Sequence, residues 1–222
     1  MRGYQIMPII ELKNVTKKIN HRLILDNISL TIDQHHIYGI SGPNGSGKTI
    51  LLKAILGFVK PNTGNITVQG YKIRKDQMFA SNVGFSFGEE GLLPMFDSQT
   101  NLQLLLKHHQ LNQSKVISTA LSKVGLDPYD HRKVQAFSLG MKQRLSIACA
   151  LVNDDPIIIL DEPTNGLDKK GQLFLVDLIQ QLKKEQKTVL LTSHDEFFLK
   201  RSSDHIFQIN DGKIRIETAQ GG

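Results

Sequence analysis

The chain has 222 residues, 40% hydrophobic and 22% charged, a balance that suits one soluble globular domain with or without an insert and excludes a disordered or low-complexity chain. The net charge is +6, but the basic residues form only small clusters, so no run tracks a phosphate backbone and the charge alone implies no nucleic acid. One cysteine, Cys149, excludes an internal disulfide; the longest apolar runs are too short to span a membrane, MRGYQIMPII lacks the apolar length of a secretory signal, and the expected setting is a reducing cytoplasm.

From Ile9 to Asp33 the segments IIELKNVT and LILDNISLTI alternate apolar and polar residues, which predicts half-buried antiparallel strands. HIYGISG predicts a short apolar strand ending in glycine. A helix is expected to begin inside the following glycine loop, because KTILLKAILG carries apolar residues at helical spacing, and to end at Gly57. KPNTGNITVQG is turn chemistry followed by an exposed strand, and NVGFSFG reads as another strand. From about Leu92 to Ala150 the pattern becomes helical: SQTNLQLLLKHHQ opens at a capping serine, SKVISTALSKVGL follows, and DPYDHRKVQAF is a polar connector. SLGMKQRLSIACALV then puts Leu145, Ala148, Cys149 and Val152 on one face. PIIIL is a strand, and a helix from about Lys169 sets Leu175, Leu178, Ile179 and Leu182 on one face. KTVLLTS is a buried strand, and a short helix and the hairpin HIFQINDGKIRIE close the chain. Apolar strands each followed by a helix indicate a parallel sheet covered on both faces. The helix-only interval reads as a subdomain inserted into an α/β core.

GPNGSGKTI, Gly42 to Ile50, contains a GxxxxGK[ST] loop. Its glycines let successive N–H groups point inward as an anion nest, and the next helix adds its positive end. Lys48 can reach the β- and γ-phosphates of a nucleotide, and the Thr49 hydroxyl can ligate Mg²⁺. A plain glycine turn would show this pattern by chance in on the order of one such chain in a hundred. In IIILDEPTNGLD, Asp161 at the end of an apolar strand can hold Mg²⁺ through water, and Glu162 can polarise an attacking water. Two adjacent carboxylates in a buried loop are costly without a cation nearby; the bland alternative is a solvent-exposed acidic loop. His194 in LLTSHD ends another apolar strand, at the edge of a parallel sheet where ligands bind, and could touch a γ-phosphate. The alternative for His194 is a surface or capping residue.

Taken together, these motifs resemble the nucleotide-binding subunit of an ATP-binding-cassette (ABC) transporter over nearly all of Ile9 to Glu217. GPNGSGKT resembles the Walker A motif, IIILDE the Walker B motif, FSLGMKQRL the family signature, NGLD the D-loop, and His194 the switch histidine. The resemblance implies a P-loop NTPase core with a mixed, mostly parallel sheet, an N-terminal antiparallel β-subdomain and an inserted α-helical subdomain. It implies a single domain over 9–217, with 9–91 and 151–217 as core and β-subdomain and 92–150 as the helical subdomain. ATP and Mg²⁺ are the expected ligands. Gly42, Pro43, Asn44, Gly45, Ser46, Gly47, Lys48, Thr49 and Ile50 would bind the nucleotide, with Ile19 against the base. Lys48, Glu162 and His194 would be catalytic, and Thr49 and Asp161 would hold the metal. Two subunits would sandwich two ATP molecules head to tail, so that Ser138, Gly140 and Asp168 act in trans on the partner's site.

The chain departs from the family pattern in four places. Its signature reads Ser-Leu-Gly-Met, with Leu139 and Met141 larger and apolar, a variant that resembles exporters linked to resistance against antimicrobial peptides, including bacitracin and lantibiotics. Ile19 stands where an aromatic ring usually stacks on adenine, a contact worth ~1–3 kcal/mol, which predicts poor discrimination between ATP and GTP. Ile50 replaces a second hydroxyl residue that donates to the α-phosphate, a bond worth roughly 1.5–3 kcal/mol. In the Q-loop the register puts Gly88 at the usual Gln or Glu position, with Glu89 and Glu90 next; a one-residue shift would give the role to a glutamate. The expected function is an ATP hydrolase on the inner face of the cell membrane that powers an exporter. It would dock through the helical subdomain and the Q-loop on a separate transmembrane permease subunit and work as a homodimer or heterodimer, with no nucleic acid partner. The rival is a soluble ABC-type ATPase acting on DNA or ribosomes; such relatives usually carry two nucleotide domains, a long coiled coil or zinc cysteines. A P-loop kinase or GTPase leaves SLGMKQR and His194 without a role.

Overall fold

The computed structural model describes residues 8–106 and 112–217. They form two compact units, one from residues up to 81 together with those from 194 onward, the other from residues 82–193.

In the first unit, strand β1 (Ile10–Ile19) and strand β2 (Arg22–Ile32) form the expected antiparallel hairpin, pairing Ile10 with Ile32 and Ile19 with Arg22. Its turn residues, Asn20 and His21, have φ of 48° and 63°, the left-handed pair that matches the twist of a two-residue hairpin. Strand β4 (Thr63–Val68) pairs with the other edge of β1, and strand β5 (Tyr71–Lys72) with β4, giving the antiparallel order β2-β1-β4-β5. One face buries Ile10, Leu12, Leu30, Ile32, Ile66 and Val68, while Lys13, Ser29 and Thr31 stay in solvent. Each such burial contributes about 1.5–3 kcal/mol. Strand β3 (Ile37–Ser41) is buried along its length and runs parallel to strand β9 (His205–Asn210), which turns back at Asp211–Gly212 into strand β10 (Lys213–Glu217). Helix α1 (Lys48–Ile55) leaves the glycine loop after β3, and helix α6 (Glu196–Ser202) is capped by the Asp195 carboxylate, which accepts from Phe198 N–H at 3.0 Å.

The second unit pairs strands β6 (Val83–Ser86), β7 (Ile157–Leu160) and β8 (Thr188–Ser193) in parallel, with Ile157 opposite both Val83 and Thr188. Apart from the terminal hairpin, the strands outside the antiparallel sheet therefore pair in parallel, and the fold is α/β with a mixed, mostly parallel sheet. Helix α5 (Lys169–Lys184) buries Leu175, Leu178, Ile179 and Leu182 as its spacing predicts.

Helices α2 (Ser98–Gln103), α3 (Gln113–Lys123) and α4 (Leu139–Leu151) fill the helical interval. Two details differ from the sequence reading. The cap of α2 is Asp97, one residue before the expected serine: its carboxylate accepts from Thr100 N–H at 2.8 Å, while Ser98 is buried inside the first turn. The predicted continuation through Lys107–Gln110 lies outside the described residues. Helix α4 buries more than one face, because β6, α2 and α3 all pack on it: Gln143, Ser146 and Ile147 are buried beside Leu145 and Ala148, while Cys149 is only half-buried. No helix among the described residues is long and apolar enough to cross a membrane.

Candidate functional site

The glycine loop joins β3 to α1, and backbone crowding decides its sequence. Gly42 has φ 153°, and a Cβ there would collide with Ile209 O; Gly47 has φ 108°, and a Cβ there would lie 2.8 Å from Ile24 O. Gly47 caps α1 without any side-chain hydrogen bond, and the first turn holds no acidic residue. The first N–H groups of α1 therefore point out of the helix toward the loop with the positive end of the dipole behind them. Lys48 is 5% exposed, and its Nζ donates to Gly42 O at 2.6 Å and Pro43 O at 3.2 Å, which holds a cation folded back over the loop. Ser46 Oγ is buried with no hydrogen-bond partner among the described residues. A buried hydroxyl left in that state costs about 1–3 kcal/mol, and a phosphate oxygen is an acceptor of the right kind. The loop thus fits a polyphosphate. Pro43, Asn44 and Gly45 are exposed on its rim; Thr49 and Ile50 are half-buried at the start of α1. Ile19, at the end of β1, is 37% exposed, and His194 is exposed.

The second unit carries the carboxylates. Asp161 follows β7 and its N–H donates to Ser86 O at 2.9 Å, extending the sheet ladder by one residue. Glu162, next in line, has φ 45°, a left-handed conformation that a non-glycine residue adopts only when its surroundings hold it there. What holds it is a residue absent from the motif reading. Thr192 on β8 accepts a hydrogen bond from Glu162 N–H at 2.9 Å, and its hydroxyl donates to Asp161 Oδ1 at 2.6 Å. The signal in the sequence was the single threonine near the carboxyl end of an otherwise apolar run, VLLTS.

Three further segments of this unit meet at the N-terminus of α4. Ser138 is its cap, with Oγ accepting from Met141 N–H at 3.3 Å, and is exposed. A Cβ on Gly140 would come within 3.1 Å of Gly166 O, and one on Gly166, at φ 74°, would collide with Leu139 Cγ. The segment Asn165–Asp168 therefore lies against Leu139 and Gly140, and Asp168 caps α5 by accepting from Gly171 N–H at 2.7 Å. The third segment is a 3₁₀ turn at Gly88–Gly91, opened by Gly88 at φ 65°; Glu89 Oε2 pairs with Lys142 Nζ at 2.9 Å, and Glu90 is exposed.

Comparison with known proteins places these features in context. The family model described as "ABC transporter" matches residues 25–165. An ABC transporter ATP-binding protein of Bacillus subtilis, YybJ, is 42% identical over 212 residues, 96% of each chain. The lantibiotic transport ATP-binding protein SrtF of Streptococcus pyogenes is 34% identical over 96% of this chain and 92% of its own. The bacitracin transport ATP-binding protein BcrA of Bacillus licheniformis is 34% identical over 94% of this chain and 69% of its own. Among solved structures, a dimeric post-hydrolysis state of the ATP-binding cassette MJ0796, bound to ADP and Pi, superimposes with a TM-score of 0.85 at 29% identity, over 96% of this chain and all of that one.

Proposed function

Since the chain belongs to the ABC transporter family, we propose that its hydrolysis of ATP powers the export of antibiotic, peptide or lipid-like substrates. The nucleotide reading is carried by the loop at Gly42–Thr49: a buried lysine folded over uncapped amides, beside an orphaned hydroxyl. The substrate class rests on the relatives that act in lantibiotic and bacitracin transport and on the Leu139 and Met141 variant of the signature.

In this reading Lys48 exchanges the Gly42 and Pro43 carbonyls for β- and γ-phosphate oxygens. Gly42–Thr49 wraps the phosphates, while Ile19 lies against the base and Ile50 adds no donor at the α-phosphate. Thr49 and Asp161 would hold a hydrated Mg²⁺ as hard oxygen donors few in number, and the ion, when bound, would neutralise charge on the phosphate oxygens. Glu162 takes a proton from the attacking water, and His194 touches the γ-phosphate and orients that water. Ser138, Gly140 and Asp168 complete the site of a partner subunit, identical or paralogous. Residues 9–217 act as one ATPase domain, with 92–150 as its helical subdomain. That subdomain and the Gly88–Glu89 turn dock on a separate transmembrane permease at the cytoplasmic face of the membrane.

Two measurements test the reading. Glu162→Gln should bind MgATP as the native chain does while turnover falls by about 100-fold or more; native turnover would refute the role of Glu162. Affinity capture from detergent-solubilised membranes should recover a polytopic membrane protein in near-equal amount. Recovery of ribosomal proteins or nucleic acid instead would overturn the transport reading.

A further inference from the structure

The two acidic residues that follow β7 both bond to one buried hydroxyl, Asp161 through its carboxylate and Glu162 through its backbone N–H. Thr192 is 0% exposed, inside a strand buried along its whole length. A threonine hydroxyl has one proton to give and two lone pairs to receive. Glu162 N–H can only donate, so the Thr192 oxygen accepts there at 2.9 Å, and its single proton is directed to Asp161 Oδ1 at 2.6 Å. The directions are thus set by chemistry. The branched side chain has little rotational freedom about χ1, so the hydroxyl is a stiff strut. At one end it fixes the orientation of the Asp161 carboxylate. At the other it satisfies the N–H of Glu162 and holds that residue at φ 45°.

We propose that Thr192 is a positioning residue for ATP hydrolysis, setting the metal-side carboxylate of Asp161 and the basic carboxylate of Glu162 through a single hydroxyl. The inference rests on the ATPase reading and deepens it. Removing the hydroxyl while keeping the shape takes the acceptor from the part-buried N–H of Glu162 and removes one restraint on the Asp161 carboxylate. Both effects act on the metal and the attacking water and leave the phosphate loop at Gly42–Thr49 alone. The loss should therefore appear in kcat and in the response to Mg²⁺ more than in KM for ATP.

The experiment compares Thr192→Val, Thr192→Ser and Thr192→Ala in the full chain. Thr192→Val should lose about tenfold or more in kcat with KM within about threefold of native, and the Mg²⁺ concentration for half-maximal rate should rise several-fold. Thr192→Ser should keep kcat within about threefold. A second readout needs no turnover: the gain in unfolding midpoint from adding Mg²⁺ to ATP-saturated protein should shrink in Thr192→Val and persist in Thr192→Ser. If Thr192→Val fails to fold, the Ala and Ser variants make the same comparison. Turnover and Mg²⁺ response equal to native in the Val variant, or Ser as impaired as Val, would overturn the role of the hydroxyl. Absence of MgATP hydrolysis by the native chain would instead sink the ATPase reading itself.

Discussion

Leu139 is half exposed, yet its Cγ lies over Gly166 so closely that no side chain fits there. The bulk of Leu139 is thus accommodated by a glycine, Gly166, of the same chain. Gly166→Ala adds a methyl at φ 74° and against Leu139, and should destabilise the protein by about 1–3 kcal/mol in urea unfolding; Leu139→Gly in the same chain should recover the steric part and leave the backbone part. Ile19 poses a different test. It is 37% exposed; in the proposed site it would offer the base only an aliphatic edge, so the native chain should show similar KM values for ATP and GTP. Ile19→Tyr should lower KM for ATP several-fold, in line with a stacking energy of ~1–3 kcal/mol; a native chain already strongly selective for ATP would exclude this account. Residues of the phosphate loop were legible because their spacing encodes a backbone requirement. Thr192 was not, because its partners stand some thirty positions away and a threonine in the mostly apolar strand TVLLTS has no spacing to read.

The helix ends show the same division between local and distant causes. Asp97 and Ser98 are both good caps, and only the backbone of the first turn selects Asp97, whose carboxylate reaches Thr100 N–H. Burial opposes its charge, but the bonds from the Thr100 hydroxyl and N–H outweigh that and hold the carboxyl below its ordinary 3.8. The sign follows: the folded value is depressed, so this stability is present above the unfolded value and is lost as pH falls through the folded one. Asp97→Ala should cost about 1 kcal/mol at neutral pH, a difference that shrinks in acid below that depressed value, as chemical unfolding at a series of pH values would show. At α4, none of the residues of the Gly88–Gly91 turn is buried, so apolar burial cannot anchor the turn there. Polar contacts remain: Glu89 to Lys142, Gly88 N–H to Ser86 Oγ at 3.4 Å, and Ser86 to Ser146 at 2.6 Å. Glu89→Lys should lower MgATP turnover a few-fold, and adding Lys142→Glu should restore it; a double variant no better than the single would exclude a working ion pair. The periodicity of α4 gave its apolar stripe, but burial of Gln143 and Ser146 depends on β6, some sixty residues earlier.

At the scale of the whole molecule, the order of apolar strands and amphipathic helices made the α/β class legible, since a strand apolar on both faces needs cover on both. Its assembly rests on a different argument. Each chain carries one phosphate loop at the start of α1 and presents Ser138, exposed, at the start of α4. In the proposed head-to-tail sandwich each nucleotide would meet two helix N-termini, and the charge of a triphosphate would favour both. ATP should therefore act as the adhesive, and hydrolysis should release it. Glu162→Gln, which holds ATP without turning it over, should sediment with MgATP at twice the 24.9 kDa of one chain and return to 24.9 kDa when nucleotide is removed. Gly140→Glu adds a carboxylate beside Gly166 O and, in the proposed sandwich, against the partner's γ-phosphate, and should abolish the dimer while ATP binding to the single chain persists. A Glu162→Gln chain that binds MgATP yet stays at 24.9 kDa at every concentration would mean that its partner in the sandwich is a different polypeptide, whose own signature segment must then be the one that meets this loop.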